Sequence, residues 1–178
     1  VIPASSPLKE TAFYDLIAGY AKNRLWPDAR RTAEEMKRLF PDSKLTVKAW
    51  VDAGIAARDA RIKSEEQYFL GAALANWPAA VEVAQAQFEL AWLAHEAGEF
   101  DRSSQLLTEH LARYVDRDTT NRGKAGYWAA RDSERAGKAD EACVLYDAVI
   151  YRYSANWYGY QAGQRVAAMR PRSVASAR

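Results

Sequence analysis

Apolar residues recur at helical spacing from Leu8 almost to the end of the chain. Phe13, Leu16, Ile17 and Tyr20 form one stripe, and Ala29, Ala33, Met36 and Phe40 form the next. Trp26-Pro27-Asp28 interrupts them. Pro27 is placed to open a helix and Asp28 to favour its N-terminal dipole. Pro41-Asp42-Ser43 ends that helix, and Ser43 is a fair N-cap for the following one. The rhythm then predicts helices over Leu45 to Arg58, Glu65 to Asn76, Pro78 to Ala97, Phe100 to Tyr114, Thr120 to Ala136 and Ala139 to Tyr153, with a closing helix over about Asn156 to Met169. Gly98 and Gly137 each follow an Ala and read as helix-ending glycines. Residues 1–7 read as an irregular lead-in, residues 8–169 as the repeat domain, and residues 170–178 as a disordered tail.

The helices pair, and the pairs repeat. Ala97-Gly98-Glu99-Phe100-Asp101 lies over Ala136-Gly137-Lys138-Ala139-Asp140, and Leu106, Leu111, Arg113 and Tyr114 lie over Leu145, Ile150, Arg152 and Tyr153, at a constant 39 residues. Earlier pairs match at steps of 37. Core positions of each second helix then read Ala33, Leu70, Leu107 and Tyr146, and small positions of each first helix read Ile17, Gly54, Ala91 and Ala130. This resembles the tetratricopeptide repeat (TPR), a helix–turn–helix with small residues at the crossing and a large one after the turn, here Trp26 and Phe100. Lys63 and Glu66 depart from that pattern. The expected fold is therefore all-α: a TPR-like right-handed superhelix of about four helix hairpins plus a C-terminal capping helix. One hairpin cannot bury its apolar face alone, and stacked neighbours cover it.

Composition narrows the function without naming it. The 178 residues carry 25 basic and 23 acidic side chains, a net charge of +2, which gives no reason to expect nucleic acid. No apolar run approaches the roughly 20 residues of a membrane span. Cys143 is the one cysteine, and with His95 and His110 distant from it no zinc pattern forms. Cys143 reads as a packed residue beside Ala142, and the two histidines as helix-surface or inter-helix residues. The adjacent carboxylates Glu34-Glu35 and Glu65-Glu66 diverge on a helix and read as solvated faces. Phosphate loops, nucleophile elbows, zincin motifs and calcium loops are all missing from the sequence. No catalytic, cofactor or metal residue is expected.

Aromatic residues crowd the last third. Tyr127, Trp128, Tyr146, Trp157, Tyr158 and Tyr160, with Arg131, form the candidate cluster. Two roles fit them equally by spacing: packing between the hairpins and the cap, or the lining of a groove, since Tyr and Trp suit partner surfaces. As packing, Trp157 and Tyr158 would seal the stack around Tyr127 and Tyr146.

One further resemblance rests on particular residues. Lys124-Ala125-Gly126-Tyr127-Trp128-Ala129-Ala130-Arg131, the turn at Gly137, Ala142 and Tyr146, then Trp157-Tyr158-Gly159-Tyr160-Gln161-Ala162, resemble in order the helical-repeat region of soluble lytic murein transglycosylases. The match is best from Lys124 to Val166. It implies the non-catalytic arm of a periplasmic, peptidoglycan-remodelling protein. The partner would be a catalytic domain of the same parent protein, or peptidoglycan itself. That family's catalytic Glu stands in a Glu-Ser-x-Phe motif that this sequence lacks, so no catalytic residue carries over. The other open reading is a free-standing TPR-like scaffold for a protein partner. Val1–Pro7 is not an apolar leader, so a periplasmic location is implied by the resemblance alone.

Overall fold

A computed structural model describes residues 7–114 and 122–175 of the chain. Among these residues the elements are helical throughout. The expectations for residues 1–6, 115–121 and 176–178 lie outside the described residues. Two compact units divide at Gln87 and Phe88.

The first unit contains α1 (Pro7–Lys22), α2 (Trp26–Leu39), α3 (Lys44–Asp59), α4 (Lys63–Asn76) and a short 3-10 turn (Val81–Val83). α1 packs on α2 and α3, and α3 on α4. The starts follow the local chemistry. Pro27 sits in the first positions of α2, and the Ser43 hydroxyl accepts the Leu45 N–H at 3.0 Å to cap α3. The repeat positions read from the sequence form the core: Ile17, Ala33 and Leu70 are all at most 1% exposed.

The second unit holds α5 (Ala84–Glu96) from Phe88 onward, α6 (Phe100–Tyr114), α7 (Arg122–Arg135), α8 (Ala139–Tyr153) and α9 (Trp157–Ala175). α6 packs on α7, α7 on α8, and α9 on both α7 and α8. Ala91, Leu107, Ala130 and Tyr146 are buried, again as the repeat register requires.

All four hairpin turns share one conformation. Arg24, Arg61, Gly98 and Gly137 have φ of 59°, 60°, 77° and 81°. After each, a backbone N–H closes back across the turn: Leu25 to Tyr20, Ile62 to Ala57, Glu99 to Ala94 and Lys138 to Ser133, at 2.9 Å in every case. This left-handed closure satisfies helix-end carbonyls. Glycine adopts it without steric cost, whereas Arg24 and Arg61 hold it under strain.

Three expectations are corrected. The helix expected from Pro78 begins at Ala84. The intervening segment is held as a loop and a short 3-10 turn, pinned by the Trp77 indole N–H donating to the Pro41 carbonyl at 2.8 Å. The Glu65-Glu66 pair is not a solvated face. Glu66 is 4% exposed, because it occupies the small-residue crossing position that the register assigned it, and Glu65 pairs with Arg30 at 2.7 Å. The closing helix passes Met169 and runs to Ala175, so residues 170–175, expected as tail, are helical.

Candidate functional site

The surface of chemical interest lies within the second unit. On α5, Phe88, Trp92 and His95 stand at i, i+4 and i+7; on α7, Lys124, Trp128 and Arg135 stand at i, i+4 and i+11. Such spacing places each set on one helix face. The two faces meet. Phe88 and Trp92 stack at 6.4 Å and 11°, and Trp92 and His95 at 4.5 Å and 20°. Trp128 then meets Trp92 edge-on at 5.2 Å and His95 at 4.9 Å. Cations bracket the rings: the Lys124 ammonium lies 4.6 Å from the Phe88 centroid, and the Arg135 guanidinium 5.9 Å from that of Trp128. Phe88 is buried, while Trp92, His95 and Trp128 are half-buried.

Beneath this face lies a polar hub. The Asp132 carboxylate, fully buried, meets His95 Nδ1 at 2.9 Å and accepts the Ser103 hydroxyl at 2.7 Å. Next to it the Ser104 hydroxyl bonds Ser133 at 2.8 Å and the Ala129 carbonyl at 2.9 Å. A nucleophilic triad needs the imidazole between the carboxylate and the hydroxyl. Here the carboxylate stands between the other two, and Ser103 is closed to solvent. The cluster ties α5, α6 and α7 together and has no nucleophile to offer. An open cavity of about 580 Å³ lies beside Gly98, Phe100, Gln105 and Arg135. Its charges are already compensated, Arg102 by Glu99 at 3.0 Å and Asp101 by Lys138. Among the described residues no group of three His, Cys, Asp or Glu could hold a metal, and no helix is long and apolar enough to cross a membrane.

The residues singled out from the sequence divide between two environments. Tyr127 and Tyr146 are core, 7% and 0% exposed, with ring centroids 5.9 Å apart. Trp128 joins the α5–α7 face. Arg131 pairs with Glu134 at 2.9 Å. Glu134 also receives the Tyr146 hydroxyl at 2.9 Å and the Arg165 guanidinium from α9. Burial would raise the Glu134 pKa, but the hydrogen bonds from Arg165 and Tyr146 and the charge of Arg131 prevail and lower it. Burial first, then Glu134, pushes the Tyr146 hydroxyl well up, so it remains a donor. Tyr158 is half-buried, 5.8 Å from Tyr127.

Trp157 departs from the sealing role. It is 61% exposed, touching Tyr127 at 6.1 Å and Tyr158 at 5.0 Å by its edges, and Tyr160 is 62% exposed. Ala162 and Val166 do the sealing, buried against Tyr146 and Val149. The indole at the first position of α9 lies ahead of the helix face that packs. Cys143, expected to pack, is half-buried. His110 is buried between Phe88 and Tyr114, with centroids at 6.1 and 5.5 Å. The α5–α7 face went unnoticed in the sequence, although Phe88, Trp92 and His95 carry a legible i, i+4, i+7 spacing.

The fold is that of TPR-like helical repeats. A Podosopora anserina protein of the kinesin light chain kind, with nearly identical TPR-like repeats, superposes with a TM-score of 0.59 at 15% identity, over 93% of this chain and 87% of that one. The structure of a point variant of the same kind of protein, from the same organism, gives 0.58 at 14% identity, over 90% and 84%. No family profile matches the chain, and no curated protein matches it in sequence.

Proposed function

We propose that this protein is a non-catalytic TPR-like scaffold that docks a segment of a protein partner on the α5–α7 face. The observation that carries this reading is the run of half-buried rings, Trp92, His95 and Trp128, bracketed by Lys124 and Arg135. Half-buried rings gain further area on binding at small entropic cost, and Trp and Arg dominate binding energy at interfaces. Stacked helical repeats offer such faces on rigid elements. The experiment is comparative capture. A partner held by the unmodified chain and by Tyr151→Ala, whose ring on α8 is 93% exposed, is expected to be lost by Trp92→Ala. Equal recovery by Trp92→Ala, with its helicity intact, would overturn the reading.

A finer reading makes the scaffold the arm of a periplasmic, lytic-transglycosylase-like protein that works on peptidoglycan. Its support is the residue order from Lys124 to Ala162. Several of those residues have packing duties: Tyr127, Ala142, Tyr146 and Ala162 share one core cluster, and a side chain on Gly126 would lie 2.7 Å from Val149. Co-sedimentation of the chain with purified peptidoglycan tests this reading, and a chain left wholly in the supernatant counts against it.

A further inference from the structure

Asp132 decides which nitrogen of His95 carries the hydrogen. Both oxygens of its buried carboxylate lie 2.9 Å from His95 Nδ1, and Arg135 of the same helix stands 3.7 Å from one of them. An ionised carboxylate accepts hydrogen bonds and does not donate, so Nδ1 is the donor. In the neutral imidazole the lone pair then sits on Nε2. The ring is held in that orientation. Trp92 stacks on it at 4.5 Å and 20°, and Trp128 and Phe100 meet it edge-on at 4.9 and 6.0 Å.

The structural duty of His95 is complete at Nδ1, where it ties α5 to α7. Nε2, on the other side of the ring, has no hydrogen-bond partner among the described residues, yet it is not one of the polar atoms buried without a partner. The side chain keeps 14% of its surface exposed. An acceptor of fixed direction thus stands among the Trp92 and Trp128 rings.

We infer that His95 Nε2 is the specificity-determining acceptor of the α5–α7 face: it selects a partner segment that presents a neutral side-chain donor, a hydroxyl or an amide, and it releases that segment on acidification. The inference rests on the docking reading above. A neutral donor fits better than an ammonium, because Lys124 and Arg135 already place positive charge beside the rings. Acid removes the acceptor. Histidine is the side chain whose charge ordinarily changes between about pH 5 and 8, and the added proton can enter only at Nε2, since Nδ1 already carries one. The lone pair becomes an N–H, and a third cation joins the face. Docking is therefore strongest where His95 is neutral and weakens as pH falls. Among the described residues, the charged groups facing the ring are Asp132 and Arg135 of α7. α6 presents Phe100 and Ser103, and the Glu99 carboxylate at its start is paired with Arg102 at 3.0 Å.

The test pans a phage-displayed library of random peptides on the full chain at about pH 8 and keeps those that Trp92→Ala fails to bind. Synthetic copies without histidine are then titrated onto the chain by calorimetry. Affinity should fall at least about tenfold, or about 1.4 kcal/mol, between about pH 8 and about pH 5.5. Glutamine does not titrate, so His95→Gln should bind each peptide with the same affinity at both. Alanine scanning should find in each peptide a Ser, Thr, Asn or Gln on which binding depends. Nitrogen-15 NMR of the free chain at about pH 8 should show the tautomer with hydrogen on Nδ1, in the signals that vanish in His95→Gln. Failure to recover any Trp92-dependent peptide would overturn the docking reading, and this inference with it. Trp92-dependent peptides whose affinity is level or rises in acid, or falls equally with His95→Gln, would overturn this inference alone. So would the Nε2–H tautomer in the free chain, or peptides that need no side-chain donor. If His95→Gln does not fold, the pH profile of the unmodified chain and its tautomer decide.

Discussion

Leu70 of α4 occupies the space that a side chain on Gly54 of α3 would need. The close crossing lets both helices bury, with Leu70 fully covered. Gly54→Ala should therefore destabilise the chain by about 1–3 kcal/mol through overpacking. Gly163→Ala meets open space and should be neutral or stabilising by up to about 1 kcal/mol, because alanine favours the helix. Urea melts of the two variants check this, and equal midpoints would refute it.

Asp132 holds α5 and α6 to α7 through His95 and Ser103. Asp132→Asn keeps the shape but removes the charge-assisted bonds, and should cost about 1–3 kcal/mol. Ser103→Ala removes one donor and should cost less, about 1 kcal/mol. Chemical denaturation followed by circular dichroism measures both. An Asn variant as stable as the parent would show that the hub contributes nothing.

Glu134 joins α7 to α8 and α9, and its pKa is lowered in the fold from the ordinary 4.5. A depressed carboxylate pKa stabilises the folded state fully above the unfolded value, and that contribution fades as pH falls through the folded value. Glu134→Gln should accordingly lower the urea midpoint at neutral pH. The deficit should be unchanged down to about pH 4.5 and shrink below it. A deficit that persists undiminished in acid would mean that the ion pairs with Arg131 and Arg165 are not its source.

Trp157 and Tyr146 should separate sharply in thermal melts. Tyr146 is fully buried, so Tyr146→Ala should cost about 3–5 kcal/mol. Trp157 is 61% exposed, and Trp157→Ala should stay within about 1 kcal/mol of the parent. A large drop for Trp157→Ala would restore it to the seal of the stack.

The sequence by itself determined the hairpins, because helix ends and repeat register are local. Pro27, Ser43, Gly98 and Gly137 act within a turn of their own positions, and one buried residue per crossing is enough to keep Ala33, Leu70, Leu107 and Tyr146 in step. Even Glu66, against its own chemistry, followed the register into the interior. What only the tertiary structure decided is which aromatic side chains are accessible and what meets what. Tyr127 and Tyr160 follow a glycine in the same short pattern, yet α8 covers the first and leaves the second in solvent. His95 and Asp132 are 37 residues apart and pair only because the fold brings α5 and α7 side by side. Helical periodicity states which residues share a face. Whether that face is filled depends on a neighbouring helix, whose approach is set by packing between elements and is written in no single stretch of the chain.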